Sequence, residues 1–366
     1  MVDYLTLKSV LEHGLQQQET RYGLIDEALH SRVWLHSQPT NRVCLFFHGF
    51  TAGPYQMEPI GQHFYRAGYN VLAPLLPGHG RAGKWDQDTP PPLPTDPKVY
   101  QTFGIQWLNL AGRLGKHVVV GGLSGGGTLA GWLALEKAAQ IDRAVLCAPY
   151  LSGSNRVIDL FVKKIDTYFA WASAPGTDGV GTPTKAMPPL GYGGFATPAL
   201  RAVLEMGQFC QQRVKQTPPP GQAVAPIAPT FTISSESDRA VSNLDHQHFF
   251  EAALKQQPQS WYTCFNKVLD IPHTMMTTAE GNRYQHLLNV MIQAFVESDL
   301  TWTEVEEIAY RMTQNRPFNT VVADLGWQAK CSKDLPAMLT MVDKWPIAVK
   351  RSRGDLRSGV RSPRDR

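Results

Sequence analysis

Residues 117–131, HVVVGGLSGGGTLAG, constrain the fold more than any other stretch of this chain. His117 to Val120 is a short β-branched run of the kind that forms a fully buried strand. Glycines at 121, 122, 125, 126 and 127 then surround a single serine, Ser124, and the following TLAGWLALEK carries apolar residues at helical spacing. The spacing Gly122-x-Ser124-x-Gly126 is the G-x-S-x-G of a nucleophile elbow, and a strand before it with a helix after it is the context such an elbow requires. In that turn the serine Oγ points out of the sheet. A Cβ two positions before or two after would collide with the neighbouring strand and helix, so glycine is needed at both. The helix that follows aims its free N–H groups at the same place, which favours developing negative charge.

On either side of the elbow, apolar strands alternate with helices. Strands are expected at 32–36, 41–47, 69–76, 143–149, 230–234 and 261–265, and helices at 56–66, 97–114, 242–256 and 283–296. Continuous apolar strands separated by helices predict an α/β fold, a mostly parallel sheet covered on both faces. The alternation stops between about 152 and 225, where amphipathic helical pieces are broken by glycine- and proline-rich stretches. This segment reads as a helical cap inserted into the core, which then comprises 41–151 and 226–298. Residues 1–40 read as an N-terminal helix and edge segment. Residues 299–349, with short helices expected at 302–312 and 336–342, read as a C-terminal extension that packs at a place the sequence does not give.

Composition narrows the classes. With 43% hydrophobic and 18% charged residues over 366 positions, the chain reads as an ordinary water-soluble domain. Nothing approaches the ~18 consecutive apolar residues of a membrane span. The start, MVDYLTLKSVLEHGLQQQ, lacks an apolar run after a basic opening, so no secretory signal is expected. Five cysteines (Cys44, Cys147, Cys210, Cys264 and Cys331) are widely spaced without a C-x-x-C pair, which suggests a reducing, cytoplasmic setting and no metal. Residues 350–366 hold seven lysines and arginines against two aspartates, which accounts for the whole net charge of +4. This tail reads as disordered and solvated, and the near-neutral remainder argues against a nucleic-acid partner.

An activated serine needs a base, an acid to orient the base, and oxyanion donors. The elbow predicts the chain order serine, acid, histidine, with the last two in loops at the carboxyl ends of later strands. Asp238, in SSESDRAV after the strand TFTIS, and His273, in NKVLDIPHTMM after WYTCF, satisfy both conditions. Glu236 is a rival acid. Asp245 suits a helix start, and Asp270 is too near the histidine in sequence. His246, His248 and His286 fall on expected helices, and His48 and His79 precede the serine. The oxyanion donors expected are the amides of Gly125, next to the nucleophile, and of Phe50, in the loop after an early strand. A dinucleotide fingerprint, Gly125-x-Gly127-x-x-Ala130, is formally present. It begins inside the helix rather than at the strand end, and no acidic residue closes the next strand, so it is set aside.

The segments LFFHGFTAGP (45–54), APLLPGHG (73–80), GGLSGGG (121–127), SESDRAV (235–241) and IPHTMM (271–276) together resemble serine esterases and lipases of the α/β-hydrolase superfamily. Over 40–298 the chain is most similar to the bacterial carboxylesterase and monoacylglycerol-lipase-like branch. The resemblance implies that the HGF loop supplies an oxyanion N–H at Phe50 and that 152–225 forms a cap over an acyl pocket. It implies hydrolysis of carboxylic esters, short- to medium-chain or monoglyceride-like, through an acyl-enzyme on Ser124, with no cofactor and a small-molecule ester as partner. A thioesterase, a carbon–carbon bond hydrolase or an acyltransferase could run on the same three residues, and a binding protein of this fold is a further alternative. Phe169, Trp171, Met187, Leu190, Tyr192, Phe195 and Met206 in the cap are candidates for an apolar pocket. The long proline-rich loop 81–97 and the segment 300–366 depart from the family pattern.

Overall fold

A computed structural model of the chain describes residues 3–164, 169–171, 190–216 and 227–341. Met187, much of the irregular stretch of the expected cap, and the basic tail lie outside the described residues. The strands are β1 Arg32–Trp34, β2 Arg42–Phe47, β3 Asn70–Ala73, β4 His117–Leu123, β5 Arg143–Cys147, β6 Phe169–Trp171, β7 Gly194–Ala196, β8 Thr230–Ser235 and β9 Trp261–Phe265. The α-helices are α1 Tyr4–Ser9, α2 Leu15–Tyr22, α3 Glu58–Arg66, α4 Pro97–Leu114, α5 Gly125–Glu136, α6 Arg156–Lys164, α7 Thr197–Arg213, α8 Asn243–Gln256, α9 Gln285–Glu297, α10 Trp302–Thr313, α11 Phe318–Leu325 and α12 Leu335–Met341. Seven strands form one sheet in the order β1-β3-β2-β4-β5-β8-β9. The antiparallel pair is β1 with β3, and the other neighbours run parallel. The small strands β6 and β7 pair antiparallel in a sheet of their own.

Period-two alternation divides the strands between two apolar layers. Cys44 and Phe46 of β2, with Val71, Val119, Val145, Phe231 and Ile233, face the layer that holds α3 and α9. Val43, Leu45 and Phe47, with Leu72, Val118, Val120 and Leu146, face the layer that holds α4, α5 and α7. Helix α5 is buried along nearly its whole length. A helix apolar all round can exist only in such a place, between the sheet and a second helical layer.

Strand β2 pairs with β3 on one side and with β4 on the other, so the chain reverses its direction of travel across the sheet there. The crevice beyond the carboxyl ends of β2 and β4 is therefore the topological switch point, where open α/β sheets leave room for a ligand. The loop containing Phe50 leaves β2 at that end, and Ser124 leaves β4.

Several boundaries differ from the sequence expectation, each for a local reason. β4 does not stop at Val120 but runs on through Gly121 and Gly122, because both are paired to β2 and to β5. β3 ends at Ala73, since Pro74 has no N–H to continue the ladder. Helix α11 has no counterpart among the expected helices; it starts after Pro317 and stops at Gly326, which takes the left-handed conformation (φ 70°) typical of a helix end. The extension packs on the core. Trp302, Val305, Ile308, Val321, Leu335 and Leu339 join the same apolar layer as α9. The Trp302 N–H donates to Pro258 O at 2.8 Å, and Thr301 with Glu304 forms a capping box at the start of α10.

Candidate active site

Ser124 joins β4 to α5 with φ 53° and ψ −117°, a backbone conformation costly for any residue with a Cβ. Its own main chain holds it there. The Ser124 N–H donates to Cys147 O at 2.9 Å, and Ser124 O accepts from Thr128 N at 2.9 Å and from Tyr150 N at 3.1 Å. The glycines expected on steric grounds are needed on those grounds. A Cβ on Gly122 would lie 2.5 Å from the carbonyl carbon of Gly126, and one on Gly126 would lie 2.3 Å from Phe47 O. The serine side chain sits at the carboxyl rim of the sheet, mostly shielded from solvent.

The loop after β2 meets the elbow from the other side. A Cβ built on Gly125 would lie 3.3 Å from Phe50 Cβ and 3.5 Å from Phe50 N, so the two amides expected as oxyanion donors are neighbours. His48, fully buried, fixes this loop. The Leu76 N–H donates to its Nε2 at 2.9 Å, so the ring carries its proton on Nδ1 and donates to Gly49 O at 2.8 Å. Burial holds the His48 imidazole well below the usual histidine range, so it stays neutral. Sequence order alone left His48 without a part; its place is behind the loop.

Asp238 and His273 come together from the loops after β8 and β9. The imidazole Nδ1 donates to Asp238 Oδ2 at 2.7 Å. The other carboxylate oxygen accepts from Ala240 N at 2.8 Å and from Val241 N at 3.3 Å. Burial works against the Asp238 charge, but the imidazole and these N–H donors outweigh it and hold the carboxyl below its ordinary range. For His273, burial opposes the charged ring, and the Asp238 carboxylate overcomes that opposition and raises its pKa. Among the described residues, no hydrogen bond joins the Ser124 hydroxyl to the imidazole. Such contacts often tighten only when substrate is present.

The rivals are placed elsewhere. Glu236 is exposed and accepts from Lys267 N at 2.9 Å. Asp270 is exposed in a left-handed turn. Asp245 lies in the first turn of α8 and accepts from Arg156 Nη2 at 2.6 Å, which ties α6 to the core. His246 is buried between Ser234 Oγ and Pro149 O, with its pKa pushed down to about 4 by burial. His248 and His286 are exposed.

Aromatic side chains wall the Phe50 side of the crevice. The rings of Phe50 and Phe195 meet edge to face at 5.1 Å, and Leu93, Tyr192 and Phe195 form a small apolar cluster against Phe50. Tyr192 latches this segment to the loop after β2. Its N–H donates to Thr51 O at 2.9 Å, and its hydroxyl donates to Gly78 O at 2.7 Å. Met206, a candidate for the pocket, is buried on α7 in the apolar layer that this helix shares with α5. Sequence reading also missed Tyr55, Gln56 and Glu280, which bond to one another behind the crevice.

Comparison with known proteins agrees with this architecture. Residues 44–270 match the model of a family described as the Alpha/beta hydrolase family, a span that includes Phe50, Ser124 and Asp238 and ends before His273. Among solved structures, that of LipS and LipT, described as metagenome-derived lipolytic enzymes, is similar at TM-score 0.55 and 18% identity, covering 74% of this chain and 98% of that one. The monoacylglycerol lipase of Paleococcus ferrophilus is similar at TM-score 0.53 and 16% identity, over 72% of this chain and 96% of that one. A soluble variant of monoglyceride lipase from Saccharomyces cerevisiae, in complex with a substrate analog, is similar at TM-score 0.51 and 12% identity, over 73% and 90%. At these identities the likeness is one of fold. No curated protein matches the chain in a sequence search.

Proposed function

The chain belongs to the alpha/beta hydrolase family, and on that premise we propose that it is a serine hydrolase of carboxylic esters working through an acyl-enzyme on Ser124. What supports this reading is a serine on a strained elbow after β4 with the Phe50 amide beside Gly125, together with an Asp238–His273 pair at 2.7 Å in the loops after β8 and β9.

In this mechanism substrate binding brings Ser124 Oγ and His273 Nε2 into contact. The imidazole takes the hydroxyl proton as Oγ attacks the ester carbonyl. The developing oxyanion accepts from the Phe50 and Gly125 amides, which are worth about 10²–10³ in turnover for each donor of this kind. Asp238 keeps the Nδ1 proton in place, so that Nε2 is free to act as base, and stabilises the imidazolium that forms. The histidine passes its proton to the leaving alcohol. Water, deprotonated by the same ring, then cleaves the acyl-enzyme to release the acid and restore Ser124.

The substrate class we propose is a short- to medium-chain acyl or monoglyceride-like ester. The apolar wall of Phe50, Tyr192 and Phe195 favours it, as does the fold shared with a monoacylglycerol lipase and a monoglyceride lipase. Among the described residues no helix is long and apolar enough to cross a membrane. The buried thiols of Cys44, Cys147 and Cys210 suit a reducing, cytoplasmic setting. A panel of p-nitrophenyl esters from acetate to palmitate, with monoacylglycerols and acyl thioesters alongside, tests the reading. Oxygen esters of intermediate length should give the highest kcat/KM. Preference for a thioester by tenfold or more would reassign the reaction.

A further inference from the structure

Glu280 is a buried carboxylate to which the mechanism gives no part. It lies seven residues after His273 in the loop TTAEGN, where a glutamate would ordinarily face water. Only 9% of it is exposed. Among the described residues no lysine or arginine pairs with it. Its side-chain partners are neutral donors from the opposite loop: Tyr55 OH at 2.6 Å and Gln56 Nε2 at 2.9 Å. Burying a carboxylate is unfavourable, and burial raises the Glu280 pKa. The hydrogen bonds from Tyr55 and Gln56, and the charge of the His273 imidazole, work against that cost.

That geometry leads directly to the oxyanion loop. Because Gln56 spends its Nε2 donors on Glu280, its Oε1 is left to accept, and the Gly49 N–H donates to it at 2.8 Å. The next peptide unit, Gly49–Phe50, is held at its carbonyl by His48 Nδ1. In a trans peptide the N–H points opposite to the C=O, so the Phe50 N–H is turned away from His48. Both peptide units that meet at Gly49 are thus fixed, one by His48 and one by the pair Gln56–Glu280. Glu280 is equally tied to the histidine loop. Its carbonyl accepts from Thr274 Oγ1 at 3.1 Å, Thr277 caps the short turn that ends on it, and Asn282 Nδ2 donates to Met275 O at 2.6 Å.

We propose that Glu280 is a positioning residue: through Gln56 it clamps the loop carrying the Phe50 oxyanion donor to the loop carrying His273. The clamp spans 224 residues of sequence and sets the distance between the base and the oxyanion site. The proposal rests on the esterase reading for its kinetic consequences but not for its structural ones.

The test uses the full chain with Glu280→Ala, Glu280→Gln, Gln56→Met and the double variant Gln56→Met/Glu280→Ala. With a p-nitrophenyl ester, Glu280→Ala and Gln56→Met should each lower kcat about 10- to 100-fold, the scale of a small misplacement, with KM within about threefold. The double variant should be no worse than the poorer single one, since both act through one link. Glu280→Gln keeps one acceptor oxygen and should recover most of the loss. Independently of any activity, amide hydrogen exchange in the peptide covering 48–53 should quicken at least tenfold in Glu280→Ala, with β5 unchanged. Gln56→Met keeps the side-chain volume and carries the same test should Glu280→Ala fail to accumulate. Folded Glu280→Ala or Gln56→Met with kcat within about twofold of wild type, Glu280→Ala with unchanged exchange at 48–53, or Glu280→Gln as impaired as Glu280→Ala, would overturn the proposal. A wild type without ester hydrolysis but with the exchange effect would count against the esterase reading alone.

Discussion

The carboxylate of Asp238 is almost sealed from solvent and meets Nδ1 of His273 at 2.7 Å, with its second oxygen held by the Ala240 and Val241 amides. An acid gripped on both sides has one orientation to offer, and that orientation dictates the imidazole tautomer. Asp238→Asn can keep the shape of this contact while presenting an N–H or a weaker acceptor to the ring. Turnover should fall about 10³–10⁴-fold at neutral pH, the scale of losing the correct tautomer. Steady-state kinetics beside an unchanged circular-dichroism spectrum would establish it.

In the proposed mechanism the same pair sets the acid side of the pH profile. His273 works as a base only when neutral, so kcat/KM should decline as pH falls through its pKa. The Asp238 carboxylate raises that pKa above the ordinary value, so the decline begins at higher pH than an isolated histidine would give. Without that carboxylate, burial, which lowers the pKa, is opposed by the charge of Glu280 alone. In Asp238→Asn the acid limb should therefore move to lower pH while the plateau drops. A limb that stays in place or moves upward would show that another group controls it.

Glycines that look alike in the sequence should respond in opposite ways. A Cβ on Gly126 would lie 2.3 Å from Phe47 O and 2.4 Å from His48 O, both main-chain atoms with nowhere to go. Gly126→Ala should destabilise by about 3 kcal/mol or more, the upper end for overpacking. Gly112 is exposed on α4 and nothing lies within 4 Å of its added methyl. Gly112→Ala should stabilise by about 0.5–1 kcal/mol through helix propensity. Urea midpoints of the two variants provide the comparison.

The C-terminal extension should matter for stability and not for turnover. Trp302 is 3% exposed and its ring meets Phe250 edge to face at 5.5 Å. Trp302→Ala should cost about 3–5 kcal/mol, as other buried aromatic truncations do. Below the melting temperature, kcat per folded molecule should stay within about twofold of wild type.

Much of the candidate site is legible in the sequence because its constraints are local. Gly122, Ser124 and Gly126 advertise a turn that only glycine permits, and the positions of Asp238 and His273 follow from strands readable by their apolar runs. What stayed hidden depends on tertiary placement. Glu280 sits in a polar loop with no periodicity, and its partners Tyr55 and Gln56 are brought to it only by the sheet order. His48 reads as a glycine-flanked histidine until the Leu76 N–H is seen to donate to it. Met206 shows the limit of an apolar pattern, which marks a buried side chain without saying whether a pocket or the core buries it. The eight residues of helix α11 give too little periodicity to reveal it, although Pro317 and Gly326 mark both of its ends.

The most direct measurement is the fate of Ser124 itself. Wild-type protein treated with a fluorophosphonate probe should lose ester hydrolysis in step with labelling, and mass spectrometry of its peptides should place one adduct on Ser124. Ser124→Ala, folded to the same melting temperature, should take no label and hydrolyse no ester. Ester hydrolysis at the wild-type rate by Ser124→Ala, or an adduct on another residue accompanying the loss of activity, would contradict the account.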